Sequence, residues 1–226
     1  MIATAALCPS APLLAPGLSG AQPALPELRE ATAQAVARLL DPAPDLVAVV
    51  GPAAETATWP AGTAVDFGPF RGQATTGPAL PLSLALGATF LKNAGYTGAL
   101  LFQGVAPDAT RQTCAELGTA LGEAAGTVAL LVVADGTTRR SLKAPGWFDE
   151  RAAGFDADVE RAVRDGDLPA LLGLDTDLAA ELQATGRSSW QVLAAAVGEK
   201  ACRARVDYAD APLGVGYLVA GIRVDT

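Results

Sequence analysis

Two uninterrupted apolar runs, Leu46-Val47-Ala48-Val49-Val50 and residues 128–134, constrain this chain more than any other feature. A strand with no polar face must be covered on both sides, as in a parallel sheet sandwiched between helices. The segments between the runs have the matching character. Residues 27–40 place Leu28, Ala31, Ala35, Val36 and Leu39 at helical spacing, and Asp41-Pro42-Ala43-Pro44 stops that helix. Further helices are predicted over 81–94, ending at Gly95, and over 108–124, with Asp108 as N-cap. Strands are predicted at 1–7 and 98–103, and a short one at 64–67. Strand and helix therefore alternate through the first 134 residues. That pattern predicts an α/β fold whose central sheet is mostly parallel or mixed, with helices on both faces.

Beyond residue 148 the periodicity turns helical, over 148–164, 168–174, 178–183 and 188–197. Two closing strands are predicted at 203–208 and 214–222. No repeat, low-complexity tract or linker interrupts the chain, so residues 1–226 are expected to form one domain. In such a sheet, ligands sit outside the carboxyl ends of the strands. The loops after Leu7, Val50, Gln103 and Ala134 are therefore the places to look for chemistry.

Much chemistry is excluded by composition. The chain contains no histidine. This removes a Ser-His-Asp triad, a Cys-His dyad, the usual catalytic zinc sites and the two-histidine, one-carboxylate iron site. Cys8, Cys114 and Cys202 lie far apart, without metal or disulfide spacing, and read as small buried thiols. The net charge of -8 argues against a nucleic-acid partner. No apolar run approaches membrane-spanning length, and no basic amphipathic helix suggests a membrane surface. The N-terminus lacks a basic leader, so the expectation is a cytoplasmic protein. Gly214-Val215-Gly216 lacks a third glycine and sits in a predicted strand, and there is no Walker A sequence. No metal and no cofactor are expected.

Three loops retain candidate functional groups. Asp135-Gly136-Thr137-Thr138-Arg139-Arg140-Ser141 follows the most apolar strand and could hold an anion through guanidinium and backbone N–H groups. A polar turn facing solvent explains the same residues. Thr185-Gly186-Arg187-Ser188-Ser189 opens a predicted helix, where an anion site or ordinary capping by Ser188 would both fit. Cys8 and Ser10 lie just beyond the first strand, without a base to make either a nucleophile.

Several segments, taken in order, are similar to one known family. Pro9-Ser10-Ala11-Pro12-Leu13-Leu14 is similar to Pro-His-Pro-Pro-Leu-Leu, and Val50-Gly51-Pro52-Ala53 to a strand ending in Ser-Pro-His. Asp135-Gly136-Thr137-Thr138-Arg139 is similar to Asp-Leu-Ser-His-Arg, and Ala184-Thr185-Gly186-Arg187-Ser188 to Glu-Cys-Gly-Arg-Ser. Pro212-Leu213-Gly214-Val215-Gly216-Tyr217-Leu218-Val219 matches a Pro-Phe-Gly-Val-Gly-Tyr-Leu-Val ending. Over nearly its whole length the chain resembles the class III extradiol ring-cleavage dioxygenase (LigB) superfamily, in its Memo-like branch. The resemblance implies a LigB-like α/β fold and, in active members, Fe(II) that activates O₂ to open a catechol ring. It also implies that the metal-site positions fall at Ser10, Ala53, Thr138, Ala184 and Thr185, where no metal-binding side chain remains. Asp135 is retained, with Arg139, Arg187 and Ser188 around it.

The leading expectation is therefore a pseudoenzyme: a LigB-like protein without the Fe(II) site. It would be non-catalytic and keep a pocket for a small polar or anionic ligand bound by Cys8, Asp135, Thr137, Arg139, Arg187 and Ser188. A second reading is a metal-independent enzyme with Asp135 as acid/base, Thr138 or Cys8 nearby, and Arg139 or Arg187 holding a carboxylate. A third is a supporting role within an oligomer, since a homo-oligomer or hetero-oligomer suits this family.

Overall fold

The computed structural model describes residues 1–19, 24–75 and 77–225. Seven strands form one mixed sheet: β1 (Ile2–Cys8), β2 (Leu46–Pro52), β3 (Ala57–Trp59), β4 (Ala99–Val105), β5 (Val128–Val133), β6 (Cys202–Asp210) and β7 (Tyr217–Val224). Their order across the sheet is β3-β4-β2-β5-β1-β7-β6. The four central strands β4, β2, β5 and β1 are parallel, and β3, β7 and β6 join antiparallel. Among the described residues there are seven α-helices: α1 (Pro26–Leu40), α2 (Leu82–Asn93), α3 (Arg111–Gly122), α4 (Arg151–Arg164), α5 (Leu168–Leu172), α6 (Thr176–Glu181) and α7 (Arg187–Val197).

The apolar runs fold as their patterning demands. Every residue of β5 is buried. Val128, Leu130 and Val132 face one core, with Cys114, Phe155, Leu171 and Trp190 from α3, α4, α5 and α7. Ala129, Leu131 and Val133 face the other, with Leu28 and Val36 of α1 and Leu84 and Leu86 of α2. The period of two along the strand thus divides the molecule into two cores. Among the described residues, no helix is long and apolar enough to cross a membrane.

Several predicted boundaries move. Residues 64–67 form no strand; Ala64 makes a single bridge to Ala79. The Asp66 carboxylate accepts from Gly68 N–H at 2.7 Å and turns the chain into a short 3-10 helix. The added strand is β3 instead, fixed on β4 by side chains: Thr58 Oγ1 donates to Gln103 Oε1, and Gln103 Nε2 donates to Ala57 O. Helix α3 starts three residues later than expected, with Thr110 rather than Asp108 as its cap. Helix α4 starts at Arg151, because Asp149 N–H is held by Arg139 O and the Asp149 carboxylate accepts from Arg151 N–H. Ser188 does not cap α7; it is fully buried inside the first turn, and Gly186 holds the cap position.

Candidate functional site

The strand register aligns the loops at the carboxyl edge of the sheet. Val50 pairs with Val132 across β2 and β5, and Cys8 pairs with Val133 across β1 and β5. Just past these strand ends lie the loops that carry Ala53, Asp135 and Ser10; Ala53 N–H donates to Val105 O, on the β4 side, and Ser10 N–H reaches Asp135. The antiparallel register of β1 with β7, Leu7 against Ala220, brings Tyr217 to the same level beside Ser10. Asp135, Ser10 bonded to it and Tyr217 within reach of its charge form a short row of carboxylate, hydroxyl and phenol.

Asp135 is the centre of the row. Its Oδ1 accepts from Ser10 N–H at 2.7 Å, and its carbonyl accepts from Gly186 N–H at 3.1 Å. The side chain is thereby held to the loop after β1, and the backbone to the start of α7. Gly186 must be glycine here, because a Cβ would lie 2.5 Å from Asp135 O and 2.6 Å from the Trp190 ring. Burial pushes the Asp135 carboxyl up to about 6, against the hydrogen bonds from Ser10 that pull it down. Burial, then the nearby charge of Asp135, raises the Tyr217 phenol. Asp135 can therefore change between hydrogen-bond donor and acceptor near neutral pH.

The loop after Asp135 is held by a residue that the sequence did not mark as functional. Asp156 of α4 accepts from Thr137 N–H and Thr137 Oγ1, both at 2.9 Å, and pairs with Arg140 at 2.9 Å. Gly136 and Gly216 permit this approach: a Cβ on Gly216 would lie 2.2 Å from Asp156 Oδ2, and one on Gly136 2.5 Å from Oδ1. Gly136 N–H donates to Gly216 O, and Gly216 N–H to Thr137 O, each at 2.8 Å. Burial raises the Asp156 carboxyl despite these partners. The available signal was its place beside the buried stripe Ala152, Phe155, Val159 on α4. A cleft of about 110 Å³ shares Tyr217 with the row and is otherwise walled by Arg140, Asp156, Glu160, Trp190 and Asp210; Asp135 and Ser10 do not line it.

The other candidates divide. Thr138 Oγ1 donates to Gln183 Oε1 at 2.5 Å, tying two loops together. Ala184 is buried, while Thr185 is half-buried beside Gly186 and thus adjoins Asp135. Cys8 faces the α1–α2 core, where burial and the Asp207 charge raise its thiol far above the usual range, so it offers no thiolate. Thr137 is fully buried and spends both donors on Asp156. Arg187 is 1% exposed; Nη1 donates to Ala109 O and Gln191 Oε1, and Nη2 to Pro107 O. Its guanidinium is an internal clamp on the loop after β4, out of reach of a ligand. Arg139 lies against the loop that carries Asp149 and Gly146. Of the arginines that suggested an anionic ligand, Arg187 is committed within the core, whereas Arg139 makes no ion pair among the described residues and its buried Nε has no partner.

Iron(II) is the group the resemblance implies, and these residues do not fit it. Of Ser10, Ala53, Thr138, Ala184, Thr185 and Asp135, only Asp135 carries a good donor, and hydroxyls and methyls do not hold Fe(II). Among the described residues, no group of three or more His, Cys, Asp or Glu side chains could hold a metal ion.

No family model matches the chain, and no curated protein matches it. A similar solved structure is the crystal structure of an uncharacterized protein, JW3007, from Escherichia coli K12. It has a TM-score of 0.57 at 12% identity, covering 98% of this chain and 99% of that one. That likeness extends the α/β architecture over the full chain.

Proposed function

We propose that this chain is a metal-free, LigB-like protein that binds a small polar molecule at its strand-end row and does not activate O₂. The observation that carries this reading is the Asp135 carboxylate, tethered by Ser10 N–H and close enough to Tyr217 for its charge to raise the phenol. The positions that would hold a metal carry a hydroxyl and a methyl, while the one retained acid is oriented and poised near neutrality. In the adjoining cleft, which shares Tyr217 with the row, Asp156, Glu160 and Asp210 against Arg140 favour a neutral or cationic polar ligand over an anionic one.

Equilibrium dialysis against Fe(II), Zn(II) and Cu(II) tests the first half. Weak, substoichiometric retention is expected, and stoichiometric sub-micromolar binding of any of the three would overturn the reading. A fragment screen by ligand-observed NMR tests the second half. Neutral and cationic polar fragments are expected to bind the native chain and to lose their signals with Asp135→Asn; hits that survive that substitution place the ligand elsewhere.

The raised carboxyl of Asp135 favours one other reading, in which it acts as a metal-independent acid/base. Turnover would then follow a single ionisation near pH 6 and vanish in Asp135→Asn.

A further inference from the structure

At the other end of β1, six residues before Ser10 and so about 20 Å away, the sheet has a second polar surface. There the face of β7 and β6 beside the last turn of α1 carries charge. Arg203 of β6 and Arg223 of β7 are direct cross-strand partners, and Arg205 faces Gly221. Arg38, from the last turn of α1, lies over Gly221 from the side. These four arginines line a cleft of about 200 Å³ whose floor includes Thr4 and Gly221.

The arrangement sets like charges against one another, and an anion would relieve them. Like charges directly opposite on an antiparallel pair, with Cβ atoms about 5 Å apart, destabilise the sheet. Neighbouring carboxylates offset only part of this. Asp207 pairs with Arg38 and Arg205, and Asp225 reaches Arg203 at 3.9 Å. Arg223 has no ion pair among the described residues, and one further acid, Asp41, lines the cleft. Even with all three carboxylates counted, the patch keeps a net positive charge. It does so in a chain of net charge -8 with 16 basic residues in all, so the clustering runs against the molecule's composition. Arg203, Arg205 and Arg223 are exposed at the rim of this concavity, and exposed guanidinium groups are able to close bidentately on phosphate or carboxylate oxygens.

We propose that this arginine-lined sheet face binds a compact polyanion, a small molecule bearing phosphates or several carboxylates. The volume of the cleft suits a compact group. The site shares no residue with the strand-end row, so it stands independently of the function proposed there.

Calorimetric titration of the full chain with pyrophosphate and with citrate, at low salt, tests the proposal. Saturable one-to-one binding of at least one probe is expected, weakened about tenfold or more in the Arg203→Gln/Arg223→Gln variant. The charge-matched Arg161→Gln/Arg164→Gln variant, altered on α4, is expected to bind normally. Binding of pyrophosphate alone identifies phosphate recognition, whereas binding of both identifies recognition by charge density. Saturable binding of neither probe overturns the proposal, as does equal weakening in the two variants. Arg223→Gln alone should melt no lower than the native chain without ligand, because it relieves the arginine pair. A fall in its ligand-free melting temperature would show that Arg223 serves the fold and would overturn the proposal too.

Discussion

Two charged side chains sit where solvent barely reaches, and they solve the problem differently. Asp156 meets a charged partner and two neutral donors, so its burial is compensated from three directions. Arg187 meets no carboxylate; carbonyls of Pro107 and Ala109 and the Gln191 amide take its Nη protons, and its Nε has no partner. Both work as staples between elements distant in sequence. Asp156 fixes the loop that starts at Asp135, and Arg187 fixes the loop that precedes α3. Removing either leaves buried partners without hydrogen bonds, which costs roughly 1–3 kcal/mol per orphaned group. Asp156→Ala should therefore destabilise the protein by about 3 kcal/mol and Arg187→Ala by a similar amount, measured by urea unfolding. A loss under about 1 kcal/mol in Asp156→Ala would mean that the Thr137–Arg140 loop does not depend on it.

At the scale of elements, the buried strands were legible because their signal is local. An unbroken run such as Val128-Ala129-Leu130-Leu131-Val132-Val133 has one low-energy environment. The α1 stripe was legible for the same reason, with Leu28, Ala35, Val36 and Leu39 all buried as their spacing requires. Element starts were not, because they depend on which carbonyls a distant side chain takes. Asp108 reads as a cap, yet Arg187 draws on Pro107 O and Ala109 O, and the helix opens at Thr110 instead. The site shows the same division. Asp135 and Ser10 followed from strand ends, whereas Asp156 and Tyr217 arrive through packing that no local pattern encodes. The misplaced cap gives a sharp test. Thr110→Ala should cost about 1 kcal/mol, since Thr110 Oγ1 accepts from Thr113 N–H at 3.1 Å, and Asp108→Ala should cost only a few tenths. Reversal of that ranking in thermal unfolding would restore Asp108 as the cap.

For the whole molecule, the buried carboxylates set how stability responds to pH. Unfolded, Asp135 titrates at its ordinary value of 3.8; folded, it titrates at about 6. Between these values the native state holds a proton that the unfolded state has lost, so stability falls as pH rises from about 4 to about 6. Above the folded value the penalty is complete, at most about 3 kcal/mol for this group. Asp156 is shifted in the same direction, also by burial. Asp149 is shifted the other way, to about 2, chiefly by the hydrogen bond from the Arg151 side chain. Its contribution is present above 3.8 and disappears as pH falls towards 2, outside the window in which Asp135 acts. The two effects can therefore be separated by substitution. Asp135→Asn keeps an oxygen for Ser10 N–H but cannot ionise. It should match the native chain at pH 4 and exceed it by about 1–3 kcal/mol at pH 8, measured by urea unfolding at both values. An acid that destabilises the fold at neutral pH, and whose removal strengthens it, is what a binding residue leads one to expect. Equal stability of the two proteins at pH 8 would mean that Asp135 ionises freely, and its claim to a tuned role would lapse.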